Sequence, residues 1–163
     1  MKTLIYYFYV HPTGWNDLYD FHIYNLKAYK EVFDKQIFII SHDPDTLTIH
    51  IDNVRKAIHS VFPDAEIRNY ANDKDLRESK WFYNEIATKL SQLPDQWYFF
   101  AHNKGVDTWY TPVDNCKRWI MGMYFMNLNY MDKIEEQMDQ YETCVIGTYL
   151  IRNVKAWPWL RYN

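Results

Sequence analysis

Basic stripes, long apolar runs and paired cysteines are all missing from this chain. Lys and Arg total 18 against 21 Asp and Glu, a formal net charge of −3, and they form no stripe. Electrostatic attachment to a nucleic-acid backbone needs such a face, so nucleic acid is not an expected partner. No apolar run approaches the roughly 18–20 residues of a membrane-spanning helix, so no membrane span is expected either. The apolar start, Met1 to Val10, lacks a small-residue cleavage site and runs into His11-Pro12. It reads as a first strand and not as a signal peptide. Cysteine is limited to Cys116 and Cys144, far apart and without metal-ligand spacing. Free thiols and a cytoplasmic location are therefore the expectation. No internal repeat, low-complexity stretch or linker interrupts the chain, and 163 residues suit one domain, 1–163, with a single core.

Aromatic residues and a regular alternation of patterns are present instead. Phe, Trp and Tyr make up 19% of the chain, including 7 Trp and 15 Tyr. Most such rings pack in cores; some serve as stacking platforms for sugars or bases. Apolar runs at Thr3–Val10, Gln36–Ser41, Ala65–Tyr70, Gln96–Ala101 and Thr143–Ile151 predict strands. Between them, helical spacing predicts helices over Asp17–Phe33, Leu47–Val61, Leu76–Leu93 and Val113–Tyr141. The last is long for one globular helix, and a break is expected near Asn127 or Asn129. One face of it carries Trp119, Met123, Met126, Tyr130 and Ile134. This alternation implies an α/β fold: an open, mostly parallel sheet of about five strands with helices on both faces.

Parallel strands bring their carboxyl ends to one edge, where open α/β sheets bind ligands. Three of the six histidines fall there: His11 after the first strand, His42 after the second and His102 after the fourth. With strands one, two and four as neighbours, these groups share a cleft. Metal ligation, hydrogen bonding to a nucleotide or sugar, and ordinary loop chemistry are all open to them, although no HxH or HxxxH spacing supports a preformed metal site. Asp43 sits at a strand end, where an acidic group can accept hydrogen bonds from a ribose or base. Asp45, just before a predicted helix, is expected to serve turn and helix-cap chemistry. Asn72-Asp73-Lys74-Asp75 could cap the following helix, whose N-terminus would favour anions and let Arg77 or Lys80 reach a diphosphate.

The segment Tyr98-Phe99-Phe100-Ala101-His102-Asn103-Lys104-Gly105-Val106, followed by Cys116-Lys117-Arg118-Trp119 and by Cys144-Val145-Ile146-Gly147-Thr148, resembles a group of glycosyltransferase-like proteins. These are bacterial and viral proteins linked to surface polysaccharide synthesis. The resemblance implies a GT-A-like fold with a nucleoside-diphosphate sugar at the strand ends. His11 and Asp43 would then contact the nucleoside, and Arg77 and Lys104 would face the diphosphate. His102, Asn103 and Gly105 would line the donor pocket. Trp109, Trp157 and Trp159 would stack on an acceptor glycan. Two family features are missing: the Asp-x-Asp motif that holds a divalent metal on the donor, and a C-terminal acceptor region. A fixed cation such as Lys104 can neutralise a leaving diphosphate in place of that metal. No catalytic base is assigned. Two further readings stand beside this one: an inactive nucleotide-sugar-binding or interaction module of the same fold, and a metal-dependent hydrolase using His11, His42 and His102.

Overall fold

The computed structural model describes residues 1–13, 17–73, 75, 97–103 and 113–141. Its centre is a four-stranded sheet, parallel throughout, in the order β3-β2-β1-β4. The strands are β1 (Lys2–Val10), β2 (Lys35–His42), β3 (Glu66–Ala71) and β4 (Trp97–His102). Helices α1 (Asp17–Lys27) and α2 (Thr48–Val61) follow β1 and β2, and α3 (Val113–Leu128) and α4 (Met131–Tyr141) come later. The α/β class and the parallel sheet are as the alternation predicts. The fifth predicted strand and the predicted helix over 76–93 lie outside the described residues.

β1 and β2 are almost continuously apolar because both of their faces are covered. On one face, Leu4, Tyr6, Phe8 and Val10 of β1 join Phe38 and Ile40 of β2, all fully buried. Here Tyr19 of α1 stacks on Phe8 with ring centroids 5.5 Å apart, and Phe62, just past α2, meets Phe38 at 5.3 Å. Helix α2 contributes Ile51, Val54 and Ile58, spaced by three and four as an amphipathic helix requires. Fully burying an aromatic or branched side chain contributes about 1.5–3 kcal/mol, so this layer is the main apolar anchor of α1 and α2. On the other face, Ile5, Tyr7, Ile37 and Ile39 form a second cluster, with Tyr9, Tyr70 and Tyr98 packed against it.

Several boundaries differ from the sequence expectation, each for a local reason. The helix expected over 17–33 ends at Lys27. Beyond it the chain tightens: Ala28 N–H bonds to Asn25 C=O, Tyr29 N–H to Leu26 C=O, and a short 3₁₀ turn spans Lys30–Val32. That turn delivers Phe33, in extended conformation, to the start of β2. Asp45 lies in a turn, as expected, but is not the cap of α2. The N-cap is Leu47, which has extended dihedrals and makes no side-chain capping bond, while Asp45 lies exposed two residues earlier. The expected break in the long helix is present at Asn129–Tyr130. Among the described side chains of α3, Cys116, Ile120, Tyr124 and Leu128 are buried, at a spacing of four; the side chains of Trp119 and Met126, on the face singled out from spacing, lie outside the described ones.

The chain packs as two compact units, 1–120 and 121–163, with the division inside α3. Lys117, in the first unit, places its ammonium 5.6 Å from the Phe21 ring centroid of α1. In the second, the Phe125 and Tyr130 rings meet edge to face at 5.7 Å, and Lys133 lies over Tyr130 at 5.5 Å. Among the described residues no helix is long and apolar enough to cross a membrane.

Candidate site at the carboxyl edge of the sheet

Strand order decides where a ligand can enter. The chain winds outward from β1 to β2 to β3, then returns to place β4 on the other side of β1. Winding thus reverses between β1 and β4, and in open parallel sheets that switch point opens a crevice outside the carboxyl ends of the strands. The residues ending each strand meet along this edge.

A chain of hydrogen bonds runs the width of the edge. Asn103, directly after β4 and 3% exposed, donates its own backbone N–H to Tyr7 C=O at 3.2 Å. Its side-chain amide then takes over the ladder. Oδ1 accepts the Tyr9 N–H at 2.9 Å, and Nδ2 donates to Tyr9 C=O at 2.8 Å. A primary amide carries one carbonyl and one NH₂ group, so it serves Tyr9 as the next peptide of a strand would. The Tyr9 hydroxyl, in turn, donates to Asp43 Oδ2 at 2.7 Å, across from β1 to the residue that follows β2. Asp43 Oδ1 accepts from Asn72 Nδ2 at 2.8 Å, and Asn72 follows β3. Asn72, Asp43, Tyr9 and Asn103 therefore link the ends of all four strands in their spatial order.

The loop after β2 is fixed by its backbone. Thr46 N–H bonds to Asp43 C=O at 3.1 Å, closing the turn around Pro44, and the Asn72 N–H bonds to His42 C=O at 2.9 Å. His42 Nδ1 lies 3.1 Å from the Asp43 carbonyl oxygen, which can only accept, so Nδ1 carries a hydrogen. After β1, the His11 N–H donates to the Tyr19 hydroxyl at 2.7 Å. His11 Nδ1 accepts the Thr13 N–H at 3.2 Å and lies 2.8 Å from the Thr13 hydroxyl. A neutral His11 ring consequently carries its proton on Nε2. The ring stands edge-on to Tyr9, with centroids 6.1 Å apart.

Of the residues singled out from sequence, His11, His42, Asp43, His102 and Asn103 are described, and the 3-2-1-4 order gathers them at this edge. His102 ends β4 half-buried, in register with Tyr7. Arg77, Lys80, Lys104, Gly105, Trp109, Trp157 and Trp159 lie outside the described residues. Among the described residues no group of three or more His, Cys, Asp or Glu side chains is placed to hold a metal ion. His11, His42 and His102 do not form such a group. Two members of the network were not foreseen. Tyr9 continues the aromatic run of β1, and nothing local sets it apart. Asn72 reads as a helix cap, while the described Asx turn belongs to its neighbour Asp73, whose Oδ1 accepts the Asp75 N–H at 3.1 Å.

Fold and edge together define an α/β protein with, among the described residues, a four-stranded parallel sheet and a polar, hydrogen-bonded carboxyl edge at a topological switch point. No protein-family model, no curated protein and no solved structure matches the chain.

Proposed function

We propose that this chain binds a nucleoside-diphosphate sugar at the carboxyl edge of the sheet, as a glycosyltransferase-like protein that passes the sugar to a glycan acceptor. One observation carries the reading. The strand order reverses at β1, and His11, Asp43 and Asn103 come to the edge on either side of that reversal. In this reading Asp43 accepts hydrogen bonds from the nucleoside, with His11 beside it. Asn103 fixes β1 against β4, and His102 faces the donor. Lys104, with Arg77, neutralises the diphosphate as the leaving nucleotide gains charge.

The test is thermal shift of the full chain against nucleoside diphosphates and their sugar conjugates, with manganese and then with EDTA. A ligand that binds only the folded state raises its apparent stability as free ligand exceeds Kd. The expected outcome is a shift with one nucleotide that survives EDTA and falls at least about tenfold in affinity in Lys104→Ala. Loss of the shift in EDTA would replace Lys104 by a metal; no shift with any nucleotide would end the donor reading. Binding without transfer is a second reading, favoured by Asp43. Both of its oxygens already accept hydrogen bonds, which suits a fixed acceptor more than a proton carrier. Release of nucleoside diphosphate from the sugar conjugate in the presence of acceptor separates the two.

A further inference from the structure

We propose that β3 pairs with the β3 of a second copy of this chain, antiparallel and centred on Ile67, so that two sheets join into one. The proposal is independent of the donor-site reading. β3 ends the sheet, and among the described strands it is paired to β2 alone. The Asn72 N–H bonds to His42 C=O, which turns that peptide toward β2. Backbone groups alternate in direction along a strand. The peptide groups of Tyr70, Arg68 and Glu66 therefore also face β2, while Ile67, Asn69 and Ala71 turn their N–H and C=O outward. Asn69 and Ala71 are exposed, and no residue of β3 is buried.

Charge identifies the occupant. Edge strands are commonly guarded by charge, above all Lys, because a copy of the same edge then meets like charge. On β3 the two charges are opposite and lie two residues apart on one face, where Arg68 Nε donates to Glu66 Oε1 at 2.7 Å. Reversed about Ile67, the strand sets Glu66 against Arg68 of the second copy, and Arg68 against its Glu66. Ile67 meets its own copy as a hydrogen-bonded pair, in keeping with its outward backbone. The Glu66 and Arg68 positions then form non-hydrogen-bonded pairs, in which opposed side chains are closest. Both side chains reach solvent, 40% accessible for Glu66 and 35% for Arg68, so each can bridge to the second copy while the pair within the chain persists. Such an interface is isologous and closes as a two-fold dimer. Its two β3 strands run opposite ways, so the carboxyl edges of the two sheets point in opposite directions.

Sedimentation equilibrium of the full chain tests this. One strand pair is a small interface, so a weak dimer is expected, monomeric when dilute and dimeric by about 1 mM. In the concentrated wild type the Ile67 amide, open in the dilute chain, becomes protected from hydrogen exchange. Glu66→Arg and Arg68→Glu each place like charges opposite one another at two symmetry-related positions. Each is expected to weaken self-association at least about tenfold. An equimolar mixture of the two variants restores the dimer, because one then offers two positive charges where the other offers two negative. A role confined to the pair within one chain would leave the mixture monomeric. The chain carrying both substitutions dimerises like the wild type, and it decides the matter if a single variant does not fold. A wild type that stays monomeric to about 1 mM, a dimer indifferent to either substitution, or a mixture that fails to associate would each overturn the proposal. Nucleotide binding is read separately and is untouched by any of these results.

Discussion

Asn103 shows how one side chain can end a strand without ending the ladder. Its amide supplies both an acceptor and a donor to Tyr9 at a position 3% exposed. An ionised aspartate keeps the acceptor and loses the donor, leaving the Tyr9 carbonyl facing negative charge. Asn103→Asp is expected to cost about 1–3 kcal/mol of stability, read by urea denaturation at neutral pH; a negligible change would mean that the amide does not carry the ladder. At the amino end of the sheet, a different residue sets a pH dependence. Glu66 of β3 bonds Arg68 Nε at 2.7 Å and lies 3.4 Å from Lys35 Nζ of β2. The Arg68 hydrogen bond holds its carboxyl below the ordinary 4.5, with partial burial opposing and the charges of Arg68 and Lys35 assisting. A carboxyl depressed in the folded state contributes stability above its unfolded pKa, and that contribution is lost as pH falls through the folded value. The pair is part-exposed, with 40% of the Glu66 side chain accessible, so solvent screening keeps the effect below about 1 kcal/mol. Glu66→Gln should lower stability at neutral pH by less than about 1 kcal/mol, with the deficit vanishing as pH falls below the ordinary carboxylate range, so that the acid limb of the stability–pH curve is flatter. An identical acid limb in the variant would contradict this.

Elements differ in how fully their ends are satisfied. Helix α2 is held along its length by Ile51, Val54 and Ile58, yet its N-cap Leu47 offers no side-chain acceptor and is exposed. The cap dihedrals are already extended, as a capping serine or aspartate requires. Leu47→Ser should therefore stabilise the protein by about 0.5–2 kcal/mol, seen as a higher Tm; a lower Tm would show that Leu47 packs against something more valuable than a cap. The α3–α4 break is local in origin. Asn129 N–H still bonds Phe125 C=O, and a new helical series begins with Ile134 N–H to Tyr130 C=O. Asn127 turns its amide back to Met123 C=O at 2.7 Å, a local alternative to continuing the helix.

For the sheet as a whole, position decides protection. β1 is paired on both sides, with β2 and β4, and buried on both faces, whereas β3 is paired to β2 alone among the described strands. Amide hydrogen exchange should be slowest in β1, from Ile5 to Phe8, and faster in β3. Exchange in β3 as slow as in β1 would require a strand order other than 3-2-1-4.

Alternation of strand and helix, the apolar character of β1 and β2, and the placement of His11, Asp43, His102 and Asn103 near strand ends were all readable from local pattern. Period and burial leave that mark wherever a strand is covered on both faces. Strand order was not readable, because it depends on pairings between residues distant in sequence, such as Tyr7 with His102. Nor were the roles of Tyr9 and Asn72, which look like one more aromatic and one more turn residue until β1 and β3 flank β2. Asp45 looked like a cap because it precedes a helix, but the Thr46–Asp43 turn places the helix start after it. Local chemistry supplied the candidates. Pairing across the sheet, where a hydrogen bond spans 94 residues of sequence between Tyr9 and Asn103, made them one edge.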